Sequence, residues 1–192
     1  MNSIGLYGGT FDPIHLGHLI TAQFVLEIRN LSKIIFMPAY VSPLKVDYLS
    51  SSSNDRANMV EMAIKDNQHF KLSMYEIEKQ KVSYTYETLI HLKKEYDNIE
   101  LIIGYDNYLV FDKWKNSEEI FQLAKIVVLN RKVVDLNPEM MDDRFIFVNN
   151  PIVEINSTEI RERKKSNKSI DYLIHPDVNK YIGKEGLYTG EK

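Results

Sequence analysis

Between Gly8 and His18 the sequence GGTFDPIHLGH gathers paired glycines, a threonine, an acid, a proline and two histidines three residues apart. Gly8 and Gly9 lack the Cβ that would shield their main-chain N–H groups, and they are expected to turn the chain sharply off the apolar stretch before them. A helix starting just beyond would point its positive end at the same place, which favours an anion. His15 and His18 can then present both imidazoles to one side, while Gly17 keeps the space between them open and Thr10 adds a hydroxyl donor. The mixture suits phosphate groups. Gly5, Gly8 and Gly9 have the wrong spacing for the dinucleotide fingerprint G-x-G-x-x-G, and no lysine followed by serine or threonine completes a Walker loop. Two readings stay open beside the phosphate site: structural histidines, and a metal held by Asp12, His15 and His18.

Such a stretch needs elements to hold it. Short apolar runs at Ile4–Tyr7, Ile34–Met37, Leu101–Ile103, Ile126–Leu129 and Phe145–Val148 read as strands. The middle runs are continuous rather than alternating, as in a parallel sheet covered on both sides. Between them lie segments of helical spacing: Leu16, Leu19, Ile20 and Val25; then Met59, Val60, Ala63 and Ile64; then Tyr86, Leu89, Leu92 and Tyr96. The alternation predicts an α/β fold, Rossmann-like and doubly wound, with a mainly parallel sheet flanked by helices on both faces. Residues 1–192 are expected to form one compact domain. In such a sheet ligands sit beyond the carboxyl ends of the strands. There the sequence places GGTFDPIHLGH, PAYVSPLK, GYDNY and the segment leading to NSTEIR. The serine-rich patch Leu49–Asp55 reads as a surface loop, with a functional lid as the alternative.

Composition narrows the partners. With 24 basic and 27 acidic residues the formal charge is -3, which argues against nucleic acid as the main partner. No apolar run approaches the ~18 residues of a membrane span, so no membrane association is expected. The absence of cysteine excludes disulfides, thiolate metal sites and cysteine nucleophiles, and together with an N-terminus lacking a basic, apolar leader it suits a cytoplasmic protein. A homo-oligomer is compatible with everything above.

The segment GGTFDPIHLGH resembles the signature of the HxGH nucleotidyltransferases. With SYTYET (Ser83–Thr88), GYDNYLVFDKW (Gly104–Trp114), INSTEIR (Ile155–Arg161) and YIGKEGLY (Tyr181–Tyr188), the chain resembles the bacterial nicotinate-nucleotide adenylyltransferases along nearly its whole length. The resemblance implies joining the phosphate of nicotinate mononucleotide to the α-phosphorus of ATP, with release of pyrophosphate. It also implies that Gly8, Gly9, Thr10, His15, His18, Lys45, Ser157, Thr158 and Arg161 handle ATP. Among them His18, His15, Thr10 and Lys45 would act at the reacting phosphates, and magnesium would accompany the leaving pyrophosphate. Thr85, Asp106 and Trp114 would bind the mononucleotide, Trp114 by stacking on the pyridine ring. A phosphate monoester is already an anionic nucleophile near neutral pH, so positioning and charge neutralisation can carry most of the catalysis.

The residues themselves leave further choices. Asn156, Ser157 and Thr158 are all fit to cap a helix, and Glu159 completes a capping-box pattern. Arg161 would then lie in the first turn, where a cation opposes the helix dipole unless a polyphosphate lies there; otherwise it simply begins the solvated run RERKK. Thr85 opens a predicted helix whose N–H groups could receive a carboxylate, which favours the acid over nicotinamide. Trp114 has the alternative of a core residue, although DKWKN surrounds it with polar neighbours. The sequence departs from the family pattern where Leu44 replaces a histidine, where Asn156 replaces a serine, and where Arg131-Lys132-Val133 replaces an R-P-G turn. Two rivals therefore stand beside the leading reading: another HxGH adenylyl- or cytidylyltransferase, and a nucleotide-binding sensor without catalysis.

Overall fold

The computed structural model describes residues 3–43, 50–130 and 142–190. Lys45, Leu44, Leu49 and the turn at Arg131-Lys132-Val133 lie outside them. The chain order is β1 (Ile4–Gly9), α1 (Leu16–Ile28), β2 (Lys33–Pro38), α2 (Ser53–Ile64), β3 (Phe70–Leu72), α3 (Tyr75–Lys79) and α4 (Thr85–Leu92). It continues through β4 (Ile99–Gly104), α5 (Tyr105–Tyr108), α6 (Ser117–Leu123), β5 (Lys125–Leu129), β6 (Phe145–Val148), α7 (Ser157–Lys165) and α8 (Pro176–Lys184).

Every strand pairing is parallel, and the order across the sheet is β3-β2-β1-β4-β5-β6. This is the doubly wound arrangement the apolar runs predict. Alternate side chains of each strand face opposite sides. Tyr7, Ile34, Phe36, Ile102 and Val127 pack with α1, α2, α7 and α8 on one face. Leu6, Ile35, Leu101, Ile103, Ile126 and Val128 pack with α4 and α6 on the other. Each fully buried aliphatic chain contributes roughly 1.5–3 kcal/mol, so neither layer could be exposed without losing the fold. The one charge set inside a central strand, Glu100, is met by Arg29 from the end of α1 through paired bonds of 2.8 and 2.9 Å. Among the described residues no helix is long and apolar enough to cross a membrane.

Two local expectations are corrected. Gly8 and Gly9 do not turn the chain: they complete β1, opposite Met37 and Pro38. The reversal comes two residues later, at Phe11, whose backbone is left-handed with φ 51. A Cβ at Gly9 would meet the Phe11 ring at 3.0 Å, so the glycine is needed for close approach rather than for bending. The described part of the serine-rich patch is divided: residues 50–52 approach α2 without regular structure, as a loop would, and only the last three residues are helical. Ser52 caps α2 by accepting from the Asp55 N–H at 3.0 Å, and Ser53 to Asp55 form the first turn. Serine and aspartate avoid helix interiors but favour helix starts, so the same composition that suggests a loop also encodes a cap.

Candidate active site

At the carboxyl edge of β1 the chain passes Thr10 and Phe11 and reaches His15, the N-cap of α1. The His15 N–H donates to Nδ1 of His18 at 3.2 Å. An accepting Nδ1 carries no proton, so this bond assigns the proton of the neutral His18 ring to Nε2, at its opposite edge. The two imidazoles stack with centroids 3.7 Å apart and planes 29° apart, and Phe11 stands edge-on to His18 at 5.1 Å. His15 is buried and His18 half-buried. A Cβ on Gly17 would lie 3.0 Å from His15 Nδ1, so glycine there preserves the stack as its position suggests. Gly8 is exposed, and a Cβ on it would meet nothing within 4 Å.

The start of α7 lies against this loop. Ser157 Oγ donates to the Pro13 carbonyl at 2.9 Å, and Arg161 Nη1 donates to the Asp12 carbonyl at 2.7 Å. Asn156 is the N-cap, accepting from the Glu159 N–H at 2.8 Å. Helix geometry leaves the N–H groups of Ser157 and Thr158 without intrahelical acceptors. Arg161 is not in the first turn, as the sequence suggests, but one residue past it. Its guanidinium folds back onto the Asp12 carbonyl and, at 3.0 Å, onto Thr158 Oγ1, which answers the unfavourable dipole without any ligand. Two helix starts, those of α1 and α7, thus converge on one bend.

Behind the bend lie buried polar groups that the sequence reading passes over. The Asp12 carboxylate accepts from the Tyr188 hydroxyl at 2.7 Å and the Ser51 N–H at 3.4 Å. Burial, followed by the nearby Asp12 charge, pushes the Tyr188 hydroxyl far above the usual tyrosine range. Arg56, 1% exposed, donates to four main-chain carbonyls: Thr10 at 2.7 Å, Ala39 at 2.6 Å, Tyr40 at 3.1 Å and Ser51 at 3.2 Å. The sequence held a signal for it. Arg56 precedes Met59 and Val60 by three and four residues, a charge on the apolar face of a predicted helix.

On the other side of β1, α4 opens at Thr85 as expected, with Tyr84 as N-cap. The approach to it is tied to the loop after β2: Ser83 Oγ accepts from the Tyr40 N–H at 3.0 Å, and the Ser83 N–H donates to the Val41 carbonyl at 2.9 Å. Beneath, Thr88 Oγ1 donates to the buried Glu76 at 2.5 Å. Burial raises the Glu76 pKa, opposed by the hydroxyls of Thr88 and Ser83. Glu87, in the first turn of α4, would repel an anion there, but Lys115 and Lys79 both bond it and hold its pKa down at about 2. Lys115 Nζ also sits 4.3 Å from the centre of the Tyr84 ring. Two cations around one carboxylate leave this helix start net positive.

Trp114 ends the 3-10 turn Phe111–Lys113 and packs on Phe111 at 5.2 Å between centroids. It is half-buried within the second core layer, nearer the core alternative than DKWKN implies, yet its Nε1 is buried with no hydrogen-bond partner. Asp106 is exposed in α5, directly after β4. Tyr108 packs edge-on against Phe145 and Phe147 at 4.9 and 5.0 Å. The loops after β1 and β4 leave adjacent strands for opposite faces, so the crevice of the sheet opens between them. Among the described residues no group of three or more His, Asp or Glu is placed to hold a metal ion, which removes the Asp12–His15–His18 metal reading.

Residues 6–163 match the family model described as cytidylyltransferase-like. A probable nicotinate-nucleotide adenylyltransferase of Hydrogenobaculum sp. (strain Y04AAS1) is 40% identical over 187 residues, covering 97% of this chain and 98% of its own. The nicotinate-nucleotide adenylyltransferase of Bacillus subtilis (strain 168) is 39% identical over 190 residues, covering 98% and 99%. In fold, the chain is similar to Plasmodium falciparum nicotinic acid mononucleotide adenylyltransferase complexed with NaAD, at a TM-score of 0.81, 21% identity and 98% coverage of both chains. The chain belongs to the nicotinate-nucleotide adenylyltransferases, a family within the cytidylyltransferase-like proteins.

Proposed function

We infer that this protein transfers the adenylyl group of ATP to nicotinate mononucleotide, giving deamido-NAD and pyrophosphate. The observation that carries the reading is the convergence of the starts of α1 and α7 on one bend, through the bonds of Ser157 to Pro13 and of Arg161 to Asp12. Stacked imidazoles, main-chain N–H groups and a guanidinium are donors suited to a polyphosphate and poorly suited to a bare cation. Magnesium would therefore enter on the phosphate oxygens of ATP, neutralising charge on the departing pyrophosphate.

In the reaction an oxygen of the mononucleotide phosphate attacks the α-phosphorus, and the bond to the bridging oxygen breaks, its electron pair leaving with pyrophosphate. No proton need be taken from the nucleophile. His18 donates from Nε2 to the α-phosphoryl oxygens as negative charge builds there, and His15 holds that ring in place by stacking and through its N–H. Gly8, Gly9 and Thr10 let the triphosphate approach the main chain, and Lys45 assists at the phosphates. Ser157 and Thr158 serve through their main-chain N–H groups, since the Ser157 hydroxyl is committed to Pro13. Thr85 and the N–H groups after it receive the nicotinate carboxylate, Trp114 meets the pyridine ring, and Asp106 orders the same rim. The reading suits a cytoplasmic protein, as does a sequence without cysteine.

Incubation with ATP, magnesium and nicotinate mononucleotide should release pyrophosphate, and the amide mononucleotide should compete poorly. Tight ATP binding without release would turn the reading towards the silent sensor; turnover with a different acceptor would turn it towards another transferase of this superfamily.

A further inference from the structure

Arg56 occupies the fourth position of α2, in a part of the molecule with no assigned role in phosphoryl chemistry. A fully buried guanidinium is costly unless its donors are met. Here they are met by carbonyls alone, on three separate segments: Thr10 after β1, Ala39 and Tyr40 after β2, and Ser51 before α2. Burial lowers the Arg56 pKa, partly offset by the Asp12 charge. Four hydrogen bonds from one charged guanidinium are far more than one helix turn needs for docking, since apolar Ala57, Met59 and Val60 already bury that face. Lysine could reach the same place but could not span it. Its single ammonium has no planar fork to hold Thr10 and Ala39 at once.

We propose that Arg56 is a positioning residue for adenylyl transfer, its guanidinium locking the loops after β1 and β2 in mutual register so that both present their donors to the triphosphate. The proposal rests on the ATP site read above. Of the residues whose carbonyls Arg56 holds, Thr10 follows β1 and Ala39 and Tyr40 follow β2, at the carboxyl edge of the sheet. The Tyr40 N–H, moreover, is already fixed by Ser83, so the loop after β2 is gripped from both sides. Releasing the guanidinium unties Thr10 from the first loop, whose Asp12 and Pro13 stay held by Arg161 and Ser157, and frees one side of the second, while α4 keeps its own anchorage through Glu76 and Thr88.

Steady-state kinetics of Arg56→Lys should therefore show the Michaelis constant for ATP raised and kcat lowered, each about 10- to 100-fold, with that for nicotinate mononucleotide moved less than about threefold. In Arg56→Ala, guanidinium ion at millimolar concentration should restore part of kcat, and ammonium at the same ionic strength should not. Unchanged kinetics in folded Arg56→Lys, equal rises in both Michaelis constants, or failure of guanidinium to rescue would each overturn the proposal. If both variants are unfolded by circular dichroism, the Arg56 Nε–H resonance of the ¹⁵N-arginine-labelled wild type decides: it should shift on addition of a non-hydrolysable ATP analogue, and an unmoved signal rejects the idea. His18→Ala run in parallel separates the two levels. Full activity in His18→Ala would sink the ATP site itself, whereas an inactive His18→Ala beside an unaffected Arg56→Lys would sink only the positioning role.

Discussion

In the proposed mechanism His18 combines two tasks in one ring, because Nδ1 accepts the N–H of His15 and leaves the proton of the neutral ring to Nε2. Replacing it by alanine removes both, but the two losses differ in size. A lost cap costs about 0.5–2 kcal/mol of stability, whereas a lost donor at developing charge costs about 10²–10³ in rate. His18→Ala should thus melt a few degrees lower and turn over two to three orders of magnitude more slowly; calorimetry and initial rates measured together test this, and a rate loss under tenfold would deny the ring its chemical role. Trp114 presents the reverse balance. Its Nε1 is buried without an acceptor, a defect worth about 1–3 kcal/mol, while its ring rests on Phe111. Trp114→Phe should therefore leave the melting temperature unchanged or higher, and still raise the Michaelis constant for nicotinate mononucleotide more than that for ATP. A clear loss of stability would make the indole a core residue first.

Helix α4, proposed to receive a carboxylate at its start, carries an acid in its own first turn. Glu87 is pinned by Lys79 and Lys115, and with a folded pKa of about 2 against an ordinary 4.5 it contributes stability that is fully present above pH 4.5. That contribution should fade as the pH falls from about 4.5 towards 2. Thermal melts of wild type and Glu87→Gln between pH 7 and 2 should differ most at neutral pH and converge in acid. Because the pair is a third exposed, the gap should also shrink in high salt. Elements of this kind were readable to different depths. Continuous apolar runs announced five strands, since burial on both faces leaves no other composition; β3, three residues long at the sheet edge, has too few side chains to show a pattern. The start of α4 was visible from SYTYET, but the Glu76–Thr88 and Ser83–Tyr40 bonds beneath it join residues 12 and 43 apart and follow from packing alone. Serines 52 and 53 misled for the opposite reason, because cap and loop draw on the same residue types.

At the scale of the whole molecule, the last described turn closes on the loop after β1. Tyr188 lies 176 residues from Asp12, has a left-handed backbone with φ 61, and sends its hydroxyl 2.7 Å from the Asp12 carboxylate. A bulky residue keeps such a backbone only where its surroundings hold it there. The carbonyl of the same Asp12 anchors Arg161, so one residue joins the loop after β1, the start of α7 and the chain's last described turn. Tyr188→Phe keeps the ring and removes one hydrogen atom donor from a buried carboxylate. It should cost about 1–3 kcal/mol in denaturant unfolding, since the carboxylate cannot recover that bond from water. Kinetically the effect should be smaller than that of His18→Ala, a roughly threefold to tenfold fall in kcat/KM for ATP, because the loop loosens while its donors remain. Stability unchanged from wild type would mean that the hydroxyl merely occupies space beside Asp12. A full loss of activity with stability intact would instead move Tyr188 from the frame of the site into its chemistry.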